Sequence, residues 1–132
     1  MNFLLDTHSF LWLVFDSSKL SKSAREVLEN MENTIFLSSV SFWEISLKHS
    51  LGKLILENRL PTDLVDAAEK LKLDILNLSA SEAASFYKLP KATHKDPFDR
   101  IIIWQAIYGK MTLITKDRHF EDYKKMGLKT IW

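Results

Sequence analysis

The segment Phe98–Tyr108 is the strongest constraint on how this chain folds. Ile101, Ile102, Ile103, Trp104, Ala106 and Ile107 leave a helix there with almost no polar face, and a helix apolar all round has to be buried. Asp96 and Pro97 ahead of it supply a cap and a proline at the first helical position, and Gly109 closes it. Such a helix needs apolar neighbours on several sides, as on a sheet covered on both faces.

The rest of the chain supplies that sheet. Short β-like runs at Asn2–Asp6, Thr34–Ser38, Asp74–Leu78, Met111–Thr115 and Lys129–Trp132 alternate with segments of helical period. Phe10–Phe15 continues apolar after Asp6. Ser21–Met31 sets Ala24, Val27, Leu28 and Met31 at helical spacing. Phe42–Leu51 reads as a helix closed by Gly52, and Pro61 opens another with Leu64, Val65, Ala68 and Leu71 on one face. Ser79 or Ser81 suits the cap of a helix reaching about Leu89, and Arg118–Met126 forms a short last helix. With only 3 Gly and 3 Pro there is no linker and no strong hairpin signal. Strands separated by helices then predict an α/β sandwich with a mainly parallel sheet, one domain over 1–132.

Composition narrows the function mainly by exclusion. A net charge of +1 is too small for a protein that coats DNA, although an enzyme binding a polyanion at one face can be nearly neutral. Cysteine is absent, which removes disulfides and thiolate metal sites. No apolar run approaches the roughly 18–20 residues of a membrane helix. The first residues lack a basic start and meet Asp6 too early for a signal peptide, so a cytoplasmic location is expected.

Four acids fall where strands give way to helices: Asp6, Glu44, Asp99 and Asp117. In parallel α/β folds ligands gather at the carboxyl ends of the strands. Acids gathered there repel one another unless a cation joins them, and an all-oxygen set suits Mg²⁺ or Mn²⁺. Each acid equally suits a helix cap. Asp6 can cap Thr7–Phe15, Ser41 to Glu44 fits a capping box, Glu44 can pair with Lys48 one turn on, and Asp117 can cap the last helix.

Four stretches, spanning nearly the whole chain in order, carry a family resemblance: Leu4-Leu5-Asp6-Thr7-His8, Ser41-Phe42-Trp43-Glu44-Ile45, His94-Lys95-Asp96-Pro97-Phe98-Asp99-Arg100 and Leu113-Ile114-Thr115-Lys116-Asp117. The chain resembles the PIN-domain nucleases, most closely the VapC-type toxins of type II toxin–antitoxin pairs. The resemblance implies a three-layer α/β/α sandwich around a parallel five-stranded sheet. It also implies an endoribonuclease using Mg²⁺ or Mn²⁺, with Asp6, Glu44, Asp99 and Asp117 as catalytic acids and Asp6, Asp99 and Asp117 as metal ligands. Glu44 then ligates a second ion, reaches the first through water, or assists as a base. Asp96 ranks behind these, as a supporting residue or helix cap. Trp104 departs from the family, whose members often carry a small residue there. RNA, a cognate antitoxin and a second copy of the chain are the implied partners.

Around these acids, Thr7 and Thr115 hydroxyls suit a water or phosphate, or the capping of strand ends. Lys48, Arg100, Lys116 and Arg118 suit RNA attraction, or ion pairs with the same acids. His8 and His94 lack ligand spacing and suit ordinary hydrogen bonding. Trp12, Phe42 and Trp43 read as core, with base stacking as the other use of aromatic side chains. Phe10, Trp12, Phe15, Phe42 and Leu47 read as core or as a groove for an antitoxin helix. The competing functions are a PIN nuclease of RNA processing or DNA repair, a non-catalytic PIN module that binds nucleic acid, and a haloacid-dehalogenase-like phosphatase. The last normally carries a second Asp where this chain has His8.

Overall fold

A computed structural model of the chain describes residues 1–91 and 96–132; His94 and Lys95 lie outside the described residues. Five strands form one sheet: β1 (Asn2–Leu5), β2 (Thr34–Ser38), β3 (Asp74–Leu76), β4 (Thr112–Ile114) and β5 (Lys129–Ile131). Their order is β3-β2-β1-β4-β5 and every pairing is parallel. Among the described residues, six α-helices connect them: α1 (Thr7–Phe15), α2 (Lys22–Glu29), α3 (Ser39–Ser50), α4 (Asp63–Lys70), α5 (Ala80–Ser85) and α6 (Pro97–Tyr108). The expected last helix, Arg118–Met126, is present as 3-10 turns.

Alternation along the strands sorts the core into two layers. Phe3 and Leu5 of β1, with Ile35 and Leu37 of β2, face a cluster holding Phe10 of α1, Ala24 of α2 and Leu64 and Ala68 of α4. Leu4 between them faces the opposite cluster, with Ile102, Ile103, Trp104 and Ala106 of α6, Phe120 and Tyr123. The chain is therefore a three-layer α/β/α sandwich. Helix α6 is buried from Ile102 to Ala106, as its composition demands. Trp104 fits this packing because its indole N–H donates to the Glu82 carbonyl and the Ser85 hydroxyl, both at 3.1 Å.

The structure corrects several local readings. Helix α3 starts at Ser39, because the Ser38 hydroxyl at the end of β2 already accepts from the Val40 amide. Ser41 is therefore inside the helix, and Glu44 sits in its second turn rather than in a capping box. The α4 face is narrower than expected, with Leu64 and Ala68 buried but Val65 and Leu71 exposed. Met31 lies past the end of α2 and is exposed. Trp43 is 63% exposed, so it is a surface aromatic rather than core.

Candidate metal centre

Register brings the first acid to the middle of the carboxyl edge. Leu5 of β1 is paired with Leu37 on one side and Ile114 on the other, so Asp6 follows level with Ser38 and Thr115. Asp6 caps α1, its Oδ1 accepting from the Ser9 amide at 2.8 Å, and it shares a hydrogen bond with the Thr115 side chain. It is only 6% exposed. Burial raises its carboxyl above the usual carboxylate range, against the opposing pull of the Ser9 and Thr115 hydrogen bonds and of His8.

One residue further, the buried Thr7 hydroxyl donates to the Ser41 hydroxyl of α3 at 2.9 Å. This contact ties the end of β1 to the helix that carries Glu44. Glu44 is 3% exposed. Its Oε2 accepts from the Lys48 ammonium one turn along α3, the pairing that the i,i+4 spacing predicts. Its Oε1 is buried and has no hydrogen-bond partner, an arrangement that costs free energy unless something fills it. Burial works against the charge on Lys48. The hydrogen bond to Glu44 and the charges of Glu44, Asp96 and Asp99 outweigh it and raise the ammonium above its ordinary value.

Helix α6 supplies the other side of the pocket. Asp96 caps it, Oδ1 accepting from the Phe98 amide at 2.9 Å and the Asp99 amide at 3.3 Å. Carboxylate oxygens of Glu44, Asp96 and Asp99 all lie within 4.8 Å of one another. Asp96, ranked from sequence as a cap or supporting residue, is thus both a cap and a member of the tightest carboxylate group among the described residues. The i,i+3 spacing of Asp96 and Asp99 is the signal for it, since it puts both acids on one side of the first turn.

Asp117 enters from β4. Its amide donates to the Thr115 hydroxyl at 3.1 Å, and its carboxylate caps the last helical segment by accepting from the His119 amide at 2.8 Å. Thr115 therefore touches both Asp6 and Asp117. These two acids line an open cavity of about 250 Å³ together with His8, Trp12 and Lys116. Lys116 is exposed and lies 5.7 Å from the centre of the Trp12 ring. Arg118 is exposed. Arg100 is directed elsewhere: its guanidinium donates to the Leu89 and Pro90 carbonyls and lies over the Phe86 ring. Those contacts tie α6 to the segment after α5 rather than offering a cation to the carboxylates.

Comparison with known proteins supplies the family. The PIN domain model matches residues 3–126. The chain belongs to the PIN domain family. Its solved structural relatives include VapBC2 from Rickettsia felis bound to a DNA fragment from their promoter, at 20% identity and a TM-score of 0.69, covering 99% of this chain and 98% of that one. VapBC-1 from nontypeable Haemophilus influenzae matches at 18% identity and a TM-score of 0.66, over 99% and 97% of the two chains. FitAcB from Neisseria gonorrhoeae matches at 18% and 0.67, over 98% and 96%. These likenesses carry the PIN fold across the described chain. No curated protein sequence matches it. No helix of this PIN domain, among the described residues, is long and apolar enough to cross a membrane.

Proposed function

We propose that this PIN domain is the toxin of a type II toxin–antitoxin pair, an endoribonuclease that hydrolyses RNA phosphodiesters with Mg²⁺ or Mn²⁺. The observation that carries the reading is the buried, unpartnered Oε1 of Glu44 beside Asp96 and Asp99. Three carboxylates with one oxygen left unsatisfied form a donor set suited to a hard divalent cation. Asp99 and Glu44 would hold such an ion, with Asp96 available as a further oxygen donor. Asp6 and Asp117, outside that group, line the open cavity at the strand ends.

A bound divalent ion supplies charge neutralisation at the scissile phosphate and a water of lowered pKa. The chain's own groups do the rest. Asp6 is held by Ser9 and Thr115, and Thr115 in turn orients the backbone of Asp117. Lys116 and His8 at the rim of the open cavity provide positive charge and hydrogen-bond donors for the RNA backbone. Trp12, half-buried beside them, offers a ring face to a base.

The antitoxin reading draws support from relatives whose structures are VapBC assemblies. Of the residues expected to form its groove, Phe10 is fully buried, while Trp12 and Phe15 line a cavity of about 410 Å³ and Leu47 is exposed. An apolar groove of about 290 Å³ between α3, α5 and α6, lined by Trp43, Phe98, Phe86 and Ile101 among others, suits a helix of the antitoxin or a second copy.

The test is cleavage of a defined RNA by purified protein with Mg²⁺ or Mn²⁺ and with chelator, Asp6→Asn and Asp99→Asn serving as controls. Cleavage that needs the metal and both acids supports the reading. Cleavage that persists in chelator and in both variants overturns it.

A further inference from the structure

Gln105 is a fully buried amide on the otherwise apolar inner stretch of α6. Its Oε1 accepts from the Ser38 hydroxyl at the end of β2. Its Nε2 is buried with no hydrogen-bond partner among the described residues. An amide nitrogen buried in that way costs free energy that an apolar side chain of similar size does not. Stability alone therefore does not account for an amide at this position.

The amide joins the two helices that carry the carboxylates. Ser38 is itself fully buried, and its hydroxyl oxygen accepts from the Val40 amide to cap α3. Its bond to Gln105 thus holds the start of α3 against α6. Trp43 of α3 and Phe98 of α6 also meet edge to face, their ring centres 5.0 Å apart. Hydrophobic attraction has no fixed direction, whereas a hydrogen bond has a preferred length and angle. Glu44 lies about 9 Å along the helix axis from Ser38. At that distance a tilt of α3 by about 5° about its first turn moves Glu44 by roughly 0.8 Å. Metal–ligand distances tolerate only about 0.2 Å.

We propose that Gln105 is a positioning residue of the metal centre: its bond to Ser38 fixes α3 against α6, so that Glu44 meets Asp96 and Asp99 at the separation a divalent ion requires. The proposal rests on the metal-site reading above. Gln105 acts through the backbone of α3, not on the ion. An apolar residue in its place keeps the core filled and frees the angle between the two helices.

The experiment measures Mn²⁺ affinity of the full chain by the electron paramagnetic resonance signal of free Mn²⁺, and Tm in chelator. It compares wild type with Gln105→Met and Gln105→Leu, with Ser38→Ala, and with the double variant Ser38→Ala/Gln105→Met. Both substitutions of Gln105 are expected to weaken Mn²⁺ binding about tenfold or more, with Tm in chelator within about 5 °C of wild type. The double variant is expected to bind Mn²⁺ as Ser38→Ala does, because the two residues are the ends of one bond. If one substitution of Gln105 fails to fold, the other decides. Unchanged affinity, losses that add in the double variant, or weaker binding only alongside a larger fall in Tm overturns the positioning role and leaves the metal site standing. Failure of both substitutions to fold makes Gln105 a part of the fold alone and overturns it equally. Absence of Mn²⁺ binding to wild type and variants alike overturns the metal-site reading itself, and the proposal with it.

Discussion

Asp6→Asn separates a catalytic carboxylate from a helix cap more cleanly than any other substitution. Asn caps a helix as well as Asp does, so the bond from the Ser9 amide survives and a purely structural Asp6 predicts no change in stability. The structure argues otherwise. Asp6 is 6% exposed, and burial outweighs the hydrogen bonds from Ser9 and Thr115, so its ionised form is disfavoured in the fold. An acid whose folded pKa is raised contributes stability that is complete below its unfolded value and is lost as pH rises through the folded one. At neutral pH in chelator the ionised carboxylate therefore costs stability, on the order of 1–2 kcal/mol once its hydrogen bonds are counted. Removing the charge returns that amount, a rise in Tm of about 3–8 °C for a chain of this size. The assay is thermal unfolding of both proteins in chelator from about pH 4 to pH 8. The gap should open as pH rises, while ribonuclease activity is lost. A gap that is absent, or that favours wild type at neutral pH, refutes the reasoning about burial at this site.

Three further outcomes follow from named contacts. Asp99→Asn should lower metal-dependent cleavage by about 100-fold or more while far-ultraviolet circular dichroism stays unchanged, as expected when a member of a metal-binding carboxylate group is neutralised. Lys116→Ala, at an exposed residue on the cavity rim, should raise KM for RNA with little change in kcat. It should also reduce the salt dependence of RNA binding by a log–log slope of about 0.7, one phosphate contact. Trp104→Ala should destabilise the fold by about 3–5 kcal/mol in denaturant titration, since a 7% exposed indole with two hydrogen bonds is lost.

Much of the fold was readable from local pattern. The strand Thr34–Ser38 and the helical span Arg118–Met126 have the bounds the sequence suggests. The all-apolar face of α6 implied burial on more than one side. Where the reading failed, a nearer competitor took over. Ser38 caps α3 before Ser41 has the chance, and α4 buries a narrower face than its apolar residues suggest.

The site divides in the same way. The sequence by itself showed Asp6, Asp96 and Asp117 as residues suited to open helical segments, because capping is a local property. It also determined the Glu44–Lys48 contact, since residues four apart on a helix are neighbours in any fold. Only the tertiary structure decided how these pieces meet. Parallel register sets Asp6 level with Thr115, and the Thr7–Ser41 bond ties β1 to α3. The approach of α3 and α6 puts Asp96 within the same few ångströms as Glu44 and Asp99, while Arg100, next to them in sequence, turns to Leu89 and Pro90. Burial of Glu44, and with it the unpartnered oxygen, is a property of that packing. Whether a carboxylate is an ordinary cap or a buried charge awaiting a cation depends on what other chain segments exclude water from it, and no local pattern contains that.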